Sequence, residues 1–86
     1  METELNKVLV FTGNNCAKCD SLKARLNDKG YSEGVDYFSA PVMENMALAK
    51  KHGVRSVPTT VVVDEEGNQV AFYISDNKVD EIISHM

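Results

Sequence analysis

Two cysteines separated by two residues, Cys16-Ala17-Lys18-Cys19, are the side chains here best suited to do chemistry. A thiolate attacks a disulfide sulfur and forms a mixed disulfide, which a second thiol within reach can then displace. The attacking thiolate needs a stabilising environment. The unpaired N–H groups in the first turn of a helix supply one, so a helix that starts at Cys16 makes this residue the nucleophile. Cys19 shares an apolar stripe with Leu22 and Leu26, at i, i+3 and i+7, and is expected to be the buried, resolving thiol. The same spacing also serves as half of a zinc site or as two inert buried cysteines. His52 and His85 are the other soft ligands, at no recognised zinc spacing. The redox reading is favoured by context: strand, turn, CxxC and helix, followed by the rest of a βαβ unit.

The elements that must hold the pair are legible in outline. Val8-Leu9-Val10-Phe11 is a continuous apolar run, expected to be a central strand buried on both faces, with residues 1 to 6 a frayed arm before it. Asn14 or Asn15 is the expected cap of the first helix, and Gly30 its left-handed end. A turn over residues 31–34 leads to a second strand over Val35 to Ser39, parallel to the first because a helix connects them. Pro41 starts or precedes a second helix with Val42, Met46 and Ala49 on one stripe. Lys50, Lys51 and His52 occupy its last turn and Gly53 closes it. Strands over Thr59 to Val63 and Gln69 to Ile74 flank the turn Asp64 to Asn68 as an antiparallel hairpin. Asp76 is the expected cap of a last helix carrying Val79, Ile82, Ile83 and Met86. The order is βαβαββα, with no internal repeat.

Composition and charge narrow the function classes. The 86 residues are 43% hydrophobic and 26% charged, with a formal charge of -4. That suits one domain over residues 1–86 and disfavours nucleic-acid binding, which leaves a basic footprint. No apolar run approaches the roughly 20 residues of a membrane span. The N-terminus has no basic and apolar signal regions, so a reducing, cytoplasmic compartment is expected. Asp64, Glu65, Glu66, Asp76, Asp80 and Glu81 make the C-terminal third acidic. Lys18, Lys23, Arg25 and Lys29 read either as an ordinary solvated helix face or as a positive surface that favours thiolate and an acidic partner. Val57-Pro58 reads either as a plain strand start or as a cis-proline turn beside the cysteines.

Cys16-Ala17-Lys18-Cys19 and His52-Gly53-Val54-Arg55-Ser56-Val57-Pro58-Thr59, in that order, together resemble the thioredoxin superfamily. The resemblance implies an α/β thioredoxin fold, a four-stranded mixed sheet flanked by three helices. It also implies that Pro58 is cis and that the Val57 backbone pairs with the substrate chain. Ala17 and Lys18 would tune the reduction potential, with Lys18 supporting the thiolate and contacting partners. Thr12, Val57, Pro58 and Ser75 would shape the groove. The chain opens at the strand leading to the cysteines. Its size is therefore that of glutaredoxins and of the glutaredoxin-like redoxins that serve ribonucleotide reductase, and Phe11-Thr12-Gly13-Asn14-Asn15-Cys16 is similar to their strand-to-cysteine turn. Gly13 stands where glutaredoxins carry a lysine, and Tyr73-Ile74-Ser75-Asp76 where they carry a Gly-Gly pair, which argues against glutathione binding. Asn15, Ala17-Lys18 and Val10 stand where thioredoxins carry a tryptophan, Gly-Pro and a buried aspartate.

The expected function is a monomeric cytoplasmic thiol-disulfide oxidoreductase that reduces protein disulfides, Cys16 attacking and Cys19 resolving. No metal and no cofactor beyond the reversible Cys16–Cys19 disulfide are expected. A thioredoxin reductase is the expected reductant, and ribonucleotide reductase a substrate implied by resemblance alone. Two alternatives stand beside it. One is a glutathione-dependent glutaredoxin. The other is a thioredoxin-fold binding module, with Met43, Met46 and Tyr73 as its contact surface unless the methionines pack as ordinary helix residues.

Overall fold

In the computed structural model, residues 6–86 are described. The arm expected over residues 1 to 6 lies, except for Asn6, outside them. The chain order is β1 (Lys7–Thr12), α1 (Ala17–Asp28), β2 (Phe38–Pro41), a 3-10 turn (Val42–Glu44), α2 (Met46–Lys51), β3 (Thr59–Val63), β4 (Gln69–Ile74) and α3 (Val79–Ile83). The four strands form one mixed sheet in the order β2-β1-β3-β4. β1 pairs parallel with β2 and antiparallel with β3, and β3 pairs antiparallel with β4. The architecture is the thioredoxin fold that the resemblance implied.

Alternation along the strands divides the core in two. Val8 and Val10 of β1 and Val62 of β3 pack with Leu22 and Leu26 of α1 and Val79 and Ile82 of α3. Phe11 and Val61 face the other side, with Ala49 of α2 and Val54 against them. Burying Leu22 and Leu26 contributes about 1.5–3 kcal/mol each from removal of apolar surface. These residues hold α1 to the sheet along the stripe that also carries Cys19.

Several boundaries differ from the sequence reading, for local reasons. The second strand begins at Phe38, three residues later than expected, and reaches Pro41. Asp36 Oδ2 accepts the Ser32 N–H at 2.8 Å and closes a turn over that stretch, leaving Val35 74% exposed. Pro41 is tolerated because β2 is an edge strand. The second helix is split at Asn45, whose Nδ2 donates to the Pro41 carbonyl at 2.9 Å. Met46 is consequently exposed, while Ala49 is buried as expected; Met86, expected on the stripe of the last helix, lies beyond its end at Ile83 and is exposed. α3 is preceded by Lys78, not Asp76, and has no side-chain cap. The Asp76 carbonyl instead accepts Arg25 Nη1 at 3.0 Å.

Candidate active site

β1 ends at Thr12, and Gly13, Asn14 and Asn15 carry the chain to Cys16. Asn15, with φ of 52°, adopts the left-handed turn conformation that asparagine tolerates. Neither asparagine caps the helix. Cys16 is itself the N-cap: its backbone is extended, and its Sγ accepts the Cys19 N–H at 3.1 Å. The sequence reading missed this because serine, threonine, aspartate and asparagine are the usual cap donors of an acceptor atom, whereas here sulfur takes that place.

Cys16 and Cys19 are joined in a disulfide, with their Cα atoms 5.2 Å apart. Cys19 is 2% exposed and Cys16 is half-buried, which matches the expected division between an inner and an outer sulfur. Ala17 and Lys18 between them are exposed. The helix N-terminus aims partial positive charge at Cys16 Sγ, and the Cys19 amide already bonded to this sulfur would face the thiolate after reduction. This arrangement fits thiol-disulfide exchange.

The second motif meets the first in space. The Val57–Pro58 peptide bond is cis, as the resemblance implied. Gly13 lies so near Val57 that a Cβ built on it would stand 3.0 Å from Val57 Cγ2. The Pro58 carbonyl accepts the Ser75 N–H at 2.8 Å, and Ser75 has a left-handed φ of 79°. Thr59 Oγ1 donates to the Ser56 carbonyl at 2.6 Å and braces the same loop. Thr12, nearly buried, ends β1 opposite Pro41. A pocket of about 250 Å³ lined by Val42, Val54, Arg55, Ser56 and Val57 adjoins the loop, and Asn14 Nδ2 lies 3.9 Å from Met43 Sδ.

Other expected participants are placed elsewhere. Of the three basic residues on α1 and Lys29 at its C-cap, Lys23 pairs with Glu33 at 3.7 Å, Lys29 with Asp80 at 3.9 Å, and Arg25 binds the Asp76 carbonyl. Lys18 alone of the four makes no such bond among the described residues, while Arg25, bonded to a neutral carbonyl, keeps its charge away from the cysteines at the Asp76 side of the helix. His52 Nδ1 lies 3.0 Å from Gln69 Oε1, and His85 Nε2 lies 2.9 Å from the Tyr73 hydroxyl. Both histidines are committed to partners other than the cysteines. Tyr73 packs against the α1–α3 core cluster, whereas Met43 and Met46 are exposed.

Comparison with known proteins agrees with this geometry. Residues 1–86 match the family described as a thioredoxin-like domain. No curated protein matches the sequence. Among solved structures, the short form of spinach chloroplast thioredoxin f is similar with a TM-score of 0.74 and 21% identity, over 95% of this chain and 74% of that one. Oxidised mitochondrial thioredoxin 3 of Saccharomyces cerevisiae gives 0.72 and 22%, over 92% and 74%. A mutant thioredoxin from Halobacterium salinarum gives 0.70 and 28%, over 92% and 69%.

Proposed function

Given that this chain belongs to the thioredoxin-like family, we propose that it reduces protein disulfides through the Cys16–Cys19 dithiol. The family and the disulfide-bonded CxxC pair make this a thiol-disulfide oxidoreductase centre. Reduction of protein disulfides is supported by the Cys19 amide held 3.1 Å from Cys16 Sγ at the start of α1, where the amide can stabilise the attacking thiolate. Cys16 thiolate attacks one sulfur of the substrate disulfide and releases the first substrate thiolate. Cys19 then attacks Cys16 Sγ, the mixed disulfide breaks, and the second substrate thiol leaves with a proton. The substrate gains the electron pair that the protein dithiol loses.

The substrate chain lies along Val57, where the loop before Pro58 approaches Gly13, and Lys18 meets the partner from the helix side. Ser75 holds the Pro58 carbonyl, and Thr12 closes the end of β1 next to the turn into Cys16. The reductant is a thioredoxin reductase in a reducing, cytoplasmic setting, and ribonucleotide reductase is one candidate among disulfide-bearing substrates. Gly13 supports this choice over glutathione, because the space a longer side chain would need there is filled by Val57.

The test is insulin-disulfide reduction with each reducing system in turn. The wild-type protein turns over with thioredoxin reductase and NADPH and not with glutathione alone, Cys16→Ser abolishes turnover, and Cys19→Ser accumulates a mixed disulfide. Turnover by Cys16→Ser, or efficient turnover with glutathione alone, would overturn the reading.

A further inference from the structure

Thr60 is fully buried, yet its Oγ1 has no hydrogen-bond partner among the described residues. A buried hydroxyl without a partner costs stability, and the three residues that follow it on β3 are all valine. Valine would fill the same volume without that cost. The position of this hydroxyl in the fold suggests what it is for.

Register sets Thr60 between Val10 of β1 and Tyr73 of β4. It shares the sheet face of Val62, two residues on, which packs in the cluster covered by α1 and α3. The chain leaves β1 at Thr12 and enters α1 at Ala17, so the first turn of α1 overlies the end of the sheet where β1 stops and antiparallel β3 starts. That turn carries Cys19, the inner sulfur, on the stripe of Leu22 and Leu26, which pack on the same face. Thr60 therefore places a hydroxyl that is both buried and without a partner among the described residues on the sheet face that α1, carrying Cys19, covers.

We propose that Thr60 is a positioning residue for the second thiol: once the Cys16–Cys19 bond opens, its Oγ1 donates a hydrogen bond to the Cys19 sulfur and holds it as a thiolate for attack. The inference rests on the dithiol reading given above. Val10, Thr12, Val79 and Ile82 bring no charge to this layer. The titratable side chains packed in or against this cluster are Tyr31, Tyr73, hydrogen-bonded with His85, and Tyr37, whose hydroxyl donates to Asn27 Oδ1 at the far end of α1; the charged residues of α1 and α3 are intermediate or exposed. The threonine hydroxyl does not accept the proton of Cys19. It stabilises the anion left when that proton departs to solvent, while attack on Cys16 Sγ forms the new S–S bond and expels the substrate thiolate.

The experiment uses 5,5′-dithiobis(2-nitrobenzoate) with the reduced full chain. Attack by Cys16 releases one thionitrobenzoate, and resolution by Cys19 releases the second. Thr60→Val is expected to leave the first release unchanged. It should slow the second about tenfold at pH 7 and raise its pH midpoint by about one unit, as a tenfold loss of thiolate requires. Thr60→Ser restores the wild-type profile, and oxidised Thr60→Val melts at or above the wild-type temperature. A purely structural role would move the melt and not the midpoint. Second release by Thr60→Val at the wild-type rate and midpoint overturns the proposal, and Thr60→Ala answers the same question if the valine variant does not fold. Failure of the wild-type chain to release any thionitrobenzoate instead overturns the redox reading, and this role with it.

Discussion

At the scale of single residues, the contact between Gly13 and Val57 ties the two motifs together. Valine is branched at Cβ and holds one χ1 well, so Val57 cannot easily swing away from an added methyl group 3.0 Å from its Cγ2. Gly13→Ala is therefore expected to push Val57 outward and to cost about 1–3 kcal/mol, as small overpacking does. Since the displaced residue is the one along which the substrate chain is proposed to lie, kcat/KM for insulin disulfides should fall more than that for hydroxyethyl disulfide, which needs no backbone alongside it. Equal loss on both substrates would place the effect in stability alone. Gly13 was noticed in the sequence as a departure from a lysine pattern, but the reason for the glycine needed the position of Val57, far along the chain.

At the scale of elements, the caps decide where functional groups end up. Cys16 occupies the N-cap of α1 and so receives the amide that would stabilise its thiolate. The β3–β4 hairpin is closed by Asp64, whose Oδ1 accepts the Glu66 and Asn68 N–H groups at 2.9 Å each. The Asn68 amide, foremost among these bonds, holds the Asp64 carboxyl below the usual aspartate value. A depressed folded-state pKa gives stability that is complete above the ordinary pKa of about 3.9 and is lost as the pH falls through the lowered value. The protection of the Glu66 and Asn68 amides relative to their unstructured exchange rates should therefore fall in strong acid. In Asp64→Asn, which keeps an acceptor but does not titrate, it should not. The hairpin itself was readable, because Asp-Glu-Glu-Gly-Asn between two β-rich runs leaves little else. The second strand was misplaced, because the bond from Ser32 to Asp36 depends on a single side chain outcompeting the sheet.

At the scale of the whole molecule, the charges are arranged along the sheet. Lys7 pairs with Val63, so the acidic turn after β3 lies at the opposite end from Phe11–Thr59 and the disulfide. Lys18 is left exposed at the disulfide end without an ion pair among the described residues, in a chain of net charge -4. An acidic disulfide peptide should react faster at low than at high ionic strength, and a basic one should not. Lys18→Glu is expected to lower kcat/KM for the acidic peptide severalfold in low salt and to flatten its salt dependence, measured by stopped flow. An unchanged salt dependence would remove Lys18 from partner contact. Among the described residues no helix is long and apolar enough to cross a membrane.

The sequence by itself determined the chemistry and the frame: a CxxC spacing, apolar periods of 2 and 3.6, and glycines at turns are local properties that survive without tertiary contacts. It also separated Cys19 from Cys16, because burial follows the helix stripe. Only the tertiary structure decided what surrounds the sulfurs. Gly13 against Val57, Ser75 bonded to Pro58 and Thr60 opposite Val10 join residues distant in the chain through strand register, which a one-residue slip would reverse. It likewise dispersed the basic residues of α1, since their partners Glu33, Asp76 and Asp80 reach them only when the helices and loops pack.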